Sequence, residues 1–136
     1  MKEYLFRGKK TSDAKWIDGT LITWPAGKAQ IVVPGYEYGK MVAHAVIPES
    51  VGQWTTKLDK AGTRIYAGDV LMNCYHDPYG PISYCETRVL VVFQEGAFGW
   101  IGETGKFYPF ATEPLPEFTV IGNIYDNPEL IQKKKP

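Results

Sequence analysis

Glycine and proline punctuate this chain into short segments. Fourteen Gly and ten Pro are spread over 136 residues, cutting the chain into segments of the length that strands and tight turns require. No window repeats its apolar residues at helical spacing across three turns. Four Trp, nine Tyr and six Phe point the same way, because aromatic rings suit a pleated, half-buried surface. The chain therefore reads as mostly β, and its length buries enough surface to form a core without staples.

The individual segments follow from local chemistry. Tyr4-Leu5-Phe6 opens as a short strand. Lys15 to Trp24 is a strand candidate around Gly19, which marks a bulge, a tight turn or a close backbone approach; alternatively, Asp18-Gly19 closes a two-residue hairpin. Ile31 to Val33 and Met41 to Ile47 are further strands, joined by a Pro34-Gly35 turn. Pro48 to Val51 has Pro at the first position of a single helical turn. Asp59 to Gly62 and Gly68-Asp69 are turns, the second feeding a strand from Val70 to Tyr75. Val89 to Phe93 is a continuous apolar run, as in a central strand covered on both faces. Glu95-Gly96 and Thr104-Gly105 turn the chain into Ala97 to Ile101 and Lys106 to Phe110. Thr112 to Pro116 is a loop, and Thr119 to Ile124 is the last strand. Asn127-Pro128-Glu129-Leu130 reads as a short helix with Asn as its N-cap. Sequential short strands favour a meander that curls to hide its edges. The expected fold is a small meander or SH3-like barrel, or a pseudobarrel, with an N-terminal β extension and a short C-terminal helix. Within a single domain over 1–136, the segments 1–52, 53–131 and 132–136 read as N-terminal lobe, barrel and basic tail.

Charge narrows the function classes. Fifteen basic and fifteen acidic residues cancel, whereas a protein that lives by neutralising phosphates needs a surplus of Lys and Arg. Arg7, Lys9 and Lys10, and Lys133 to Lys135, are only locally basic and read as solvated ends. Nucleic-acid binding is thus the runner-up. No apolar run reaches signal-peptide or membrane-span length, so a cytoplasmic protein is expected, and Cys74 and Cys85 read as free thiols.

Chemical motifs are scarce. Cys74, His76, Asp77 and Cys85 are of zinc-ligating types, but Cys-X-His is not a knuckle spacing, and a hairpin tip carrying two ordinary cysteines is the plainer reading. No metal and no cofactor is expected. His44 and His76 are the only histidines; His44 reads as a strand residue. No nucleophile elbow, phosphate loop or dinucleotide fingerprint is present, and Gly96-X-X-Gly99-X-X-Gly102 opens no helix. No catalytic residue emerges, so a non-enzymatic protein is expected. Trp24, Tyr36, Tyr38, Tyr79, Phe107 and Tyr108 lie in or beside turns, where aromatics serve either as interface anchors or as covers for small clusters under loops.

Ordered blocks along the chain resemble one family. Phe6-Arg7-Gly8-Lys9 precedes Trp16 and Gly19; then come Gln53-Trp54-Thr55, Asp59-Lys60, Gly62, Ile65-Tyr66 and Gly68-Asp69-Val70. Val91 to Phe93, Gly96 to Gly99, and Val120 to Leu130 complete the set. Together they are similar to the YopX family of phage and prophage proteins, over residues 4 to 131. Thr56 stands where the family pattern favours Gly, and Ala61 where Asn is usual; residues 25 to 40 and 74 to 86 match no block. The resemblance implies a β-rich fold and no established activity. The expectation is a phage or prophage accessory protein in the cytoplasm of a bacterial host, associating with itself as a homo-oligomer, or with a host or phage protein.

Overall fold

A computed structural model describes residues 4–34, 41–76, 79–80, 83–102, 104–111 and 118–131. The chain forms two compact units, Met1–Trp54 and Thr55–Pro136. Two antiparallel sheets run through it.

The first unit is built from β1 (Phe6–Lys9), β2 (Trp16–Thr23), β3 (Ala29–Pro34), β4 (Met41–Val46), a 3-10 turn (Pro48–Ser50) and the first residues of β5 (Gly52–Leu58). Its strands pair in the order β4-β3-β2-β1-β5. Opposed residues share a face, so the rows Leu21/Ile31/His44 and Thr23/Ala29/Val46 look one way and Thr20/Val32/Ala43 and Ile22/Gln30/Ala45 the other. The first pair of rows meets the core, in which Ala29, Ile31 and Val46 are buried with Phe6, Ile17, Leu21, Val33 and Val51 around them. The meander curls until the end of β1 reaches the end of β4. Lys10 bridges Val46, Thr11 N–H donates to Ala45 O at 3.0 Å and Ile47 N–H to Lys9 O at 2.9 Å. Ser50 Oγ secures this corner, accepting Lys9 N–H at 2.8 Å and donating to Ile47 O at 2.6 Å.

Gly19 lies inside β2, opposite Phe6, so the hairpin at Asp18-Gly19 does not form. The close backbone approach does. A Cβ there would lie 2.4 Å from Val32 O, which no side chain tolerates.

The second unit takes the rest of β5, then β6 (Arg64–Tyr66), β7 (Asp69–His76), β8 (Ser83–Gln94), β9 (Ala97–Ile101), β10 (Phe107–Pro109), β11 (Phe118–Asn123) and a 3-10 turn (Pro128–Leu130). Five strands pair as β10-β9-β8-β7-β11, which makes β8 central, as its apolar run implies. Val89 and Val91 are buried, while Phe93 emerges 59% exposed where the strand runs out toward its turn. That turn is two residues long, and Glu95 and Gly96 both have positive φ (54° and 77°), the geometry that matches strand twist in a tight hairpin. The core holds Ile65, Leu71, Val89, Val91, Trp100 and Phe118. Trp100 is its hub, with Tyr108 stacked at 5.6 Å and Phe118 edge-on at 5.9 Å. Fully covered Ile65, Val70, Leu71 and Val91 each contribute roughly 1.5–3 kcal/mol.

Two expectations are corrected. The sheets are open, so there is no barrel: Lys10, just past β1, makes one isolated bridge to Val46 at the end of β4, and β10 and β11 end the second sheet without pairing with each other. The C-terminal helix is only the 3-10 turn Pro128–Leu130; Asn127 makes no side-chain bond to that turn, and its Oδ1 accepts Asn123 N–H instead. The loop at 112–116 and the turn after Pro34 lie outside the described residues.

Thr56 is strained. It lies within β5, not in the loop that follows, at φ 71°, a left-handed conformation that costs a β-branched residue about 1–2 kcal/mol. Buried Thr55 builds the irregularity around it, its Oγ1 donating to Ile65 O at 2.8 Å and accepting Lys57 N–H at 3.2 Å. Thr56→Gly is expected to raise stability by about 1 kcal/mol, after the entropy that glycine adds to the unfolded chain. Urea unfolding of the two proteins checks it; a lower midpoint for the variant contradicts it.

Candidate functional site

The sheet face of the first unit that looks away from its core is apolar where a solvated face is usually charged. Its rows Thr20/Val32/Ala43 and Ile22/Gln30/Ala45 hold no ionisable group. Ile22 is 42% exposed, and Met41, at the start of β4, is 60% exposed. Trp24, 43% exposed, stands one residue beyond β2, where its N–H donates to Lys28 O at 2.9 Å and its O accepts Gly27 N–H. Alternation along β2 keeps Trp24 in line with Ile22.

Toward β1 the same face turns cationic and aromatic. Lys9 opposes Trp16, and Arg7 opposes Asp18. The Arg7 guanidinium carbon lies 5.0 Å from the Trp16 ring centroid and the Lys9 ammonium 5.9 Å from it, within cation–π range. In the adjoining turn, Lys10 pairs with Asp13 at 3.0 Å. The Asp13 carboxyl is held below its ordinary pKa first by that Lys10 hydrogen bond, then by Lys15 N–H. Arg and Trp are among the residue types enriched where proteins meet.

The anticipated aromatics separate. Trp24 joins this face, and Tyr79 is 97% exposed at the β7–β8 connection. Tyr108 stacks on Trp100 in the second core, with Lys106 above its ring at 5.2 Å. Phe107, half-buried, lies against Gly99. Tyr36 and Tyr38 lie outside the described residues. His44 is half-buried in the core-facing row with Leu21 and Ile31. Of the zinc candidates, Cys74 opposes Cys85 and His76 opposes Ser83 in the backbone register, and Asp77 lies outside the described residues. Among the residues whose side chains are described, which leave out 73–76 and 83–86, no group of three metal-ligating side chains gathers, and among the described residues no helix is long and apolar enough to cross a membrane.

Two carboxylates in the second unit serve the fold. Asp69, 1% exposed, accepts Tyr66 N–H at 2.7 Å and fixes the Gly68 turn. Asp59 Oδ1 accepts Ala61 N–H (2.9 Å) and Thr63 N–H (2.8 Å), and its Oδ2 reaches across to Val120 N–H on β11 (3.0 Å). Burial pushes the Asp59 pKa up, but these donors together with Gly62 outweigh it and hold the carboxyl below its ordinary value.

Asp59, the Gly68-Asp69 turn and Gly96 of the β8–β9 hairpin are all members of the ordered blocks read in the sequence. A family model described as YopX protein matches residues 5–132. The chain belongs to the YopX family. A solved structure, protein EF1440 from Enterococcus faecalis, shares this YopX-family chain's fold at a TM-score of 0.59 and 20% identity, over 97% of this chain and 100% of that one. Comparison with the curated proteins finds no match. Glycine, which the resemblance leads one to expect at position 56, suits the left-handed backbone there.

Sequence reasoning missed the pairing of Arg7 and Lys9 with Trp16. The signal was the spacing: a turn over 10–15 folds Lys9 back onto Trp16. Ile22 and Met41 gave no signal, since which side of an apolar strand faces solvent depends on how the meander curls.

Proposed function

We propose that this YopX-family chain is a non-enzymatic phage or prophage accessory protein that works by association, with itself or with a host or phage protein, in the bacterial cytoplasm. The observation behind this reading is the uncharged face bearing Ile22, Met41 and Trp24, rimmed by Arg7, Lys9 and Trp16. Edge strand β4 contributes to it, and Met41 to His44, ahead of the Lys10 bridge, carry no Asp, Glu, Lys or Arg to block pairing with another chain. Zero net charge removes long-range repulsion between copies.

Light scattering during size exclusion at micromolar concentration tests self-association. The expected result is a homo-oligomer, with the Ile22→Lys/Met41→Lys double variant shifting to monomer while its circular dichroism spectrum stays unchanged. A sharp monomer mass for the parent protein rejects self-association.

One observation favours a second reading. Cations beside Trp16 on an open sheet face are also the ingredients of a single-strand nucleic-acid platform. Balanced charge argues against it, so no binding to random single strands or duplex near physiological salt is expected. Micromolar affinity that weakens steeply as salt rises, and is lost in Lys9→Glu, replaces the first reading with the second.

A further inference from the structure

Strands β7 and β8 pair with a one-residue step. Val70 to Asn73 oppose Leu90 to Thr87 in an even ladder, then the register shifts between Asn73 and Cys74. Had the ladder continued, Cys74 would face Glu86. The extra residue on β8 brings Cys85 opposite Cys74 instead, and Tyr75/Tyr84 and His76/Ser83 continue the new register. These are the only two cysteines in the chain.

Directly opposed residues of an antiparallel pair lie about 4.5 or 5.5 Å apart at Cα, according to hydrogen-bonding phase. A disulfide spans Cα separations of about 4.4–6.8 Å. Both spacings fall within that Cα range, the closer one also bringing the Cβ atoms to about the 4.5 Å limit of a disulfide, and the bulge is the feature that opposes these two residues.

We infer that Cys74 and Cys85 form a thiol–disulfide site, whose oxidant is a small-molecule disulfide such as oxidised glutathione. One thiolate attacks the glutathione disulfide, forming a mixed disulfide and releasing one glutathione. The opposed thiolate then attacks the protein sulfur of that bond, closing Cys74–Cys85 and releasing the second. Two electrons and two protons leave the protein and are carried by two glutathione thiols. In a reducing compartment the pair stays as two thiols; when oxidised, it ties β7 to β8 below the connection that carries Tyr79.

The test uses the full chain. Folded protein is equilibrated with oxidised glutathione, quenched in acid, unfolded, alkylated with iodoacetamide and weighed. The expected product is a monomer with no alkyl group, gaining two after reduction with dithiothreitol. Cys74→Ser and Cys85→Ser are each expected to stop at a single glutathione adduct, which shows that the second cysteine resolves the first. A parent protein ending with two alkyl groups, with two glutathiones, or as disulfide-linked dimers overturns the inference. So does one zinc per chain that blocks oxidation until a chelator removes it, because that outcome assigns both thiolates to a metal.

Discussion

Asp59→Ala is expected to destabilise the protein by about 3–5 kcal/mol. Three backbone N–H groups, from Ala61, Thr63 and Val120, donate to this one carboxylate, which is 8% exposed. Hydrogen bonds to a charged acceptor are worth about 1.5–3 kcal/mol each, and a buried donor left without its acceptor costs its own desolvation. Asp59→Asn keeps the shape but removes the charge and one acceptor oxygen, so a loss of about 1–3 kcal/mol is expected. The pH dependence has a definite sign. A carboxyl whose folded pKa is depressed stabilises the fold fully above its unfolded value of about 4, and that contribution disappears as pH falls through the folded pKa. The gap between parent and Asp59→Ala should therefore be widest near neutrality and narrow only below about pH 4. Urea unfolding at a series of pH values reads both predictions. A gap that does not narrow in acid contradicts the charged-clasp account.

Gly99→Ala is expected to cost about 2–4 kcal/mol, although it adds one methyl group. Gly99 is buried in β9, opposite Val92 on β8 and Pro109 on β10. A Cβ at this position would lie 2.4 Å from Tyr108 O and 2.5 Å from the Phe107 ring. The ring can swing aside, but the carbonyl belongs to the β10 ladder and cannot, so the strand must shift. Overpacking of this kind usually costs about 1–3 kcal/mol, and here the shift also disturbs the Tyr108 stack on Trp100. Thermal unfolding with near-ultraviolet circular dichroism should show a lower midpoint together with a changed aromatic signal. A variant with the parent midpoint would mean that β10 is free to move.

These features were unequally legible in the sequence. Gly68-Asp69 and Glu95-Gly96 announced themselves because turn chemistry is local and few residues tolerate positive φ. The central position of β8 followed from its uninterrupted apolar run. Strand β5 escaped notice because Thr55 is buried through its hydroxyl bond to Ile65 and not through apolar character, while Thr56, Lys57 and Leu58 all face solvent. Strand closure was overestimated because whether two edges meet depends on twist accumulated over several strands. Within the candidate face, Trp24 was recognisable from its place beside a turn. Tyr108 was not distinguishable from it, because alternation inside the three-residue β10 decides which ring turns toward Trp100.

The place of β11 in its sheet has a consequence for the chain as it is made. Strand β7 needs two neighbours: β8 follows at once, but β11 begins only at Phe118. At synthesis rates of roughly 5–20 residues per second, β7 waits several seconds with one side open while Val70 and Leu71, both destined for full burial, are already translated. The first sheet has no such delay, since its strands up to the start of β5 are complete by residue 54. The vulnerable nascent species is therefore a finished first unit trailing a half-built second one. During that interval the Asp59 turn, already formed from neighbouring residues, holds one carboxylate oxygen ready for the N–H of Val120.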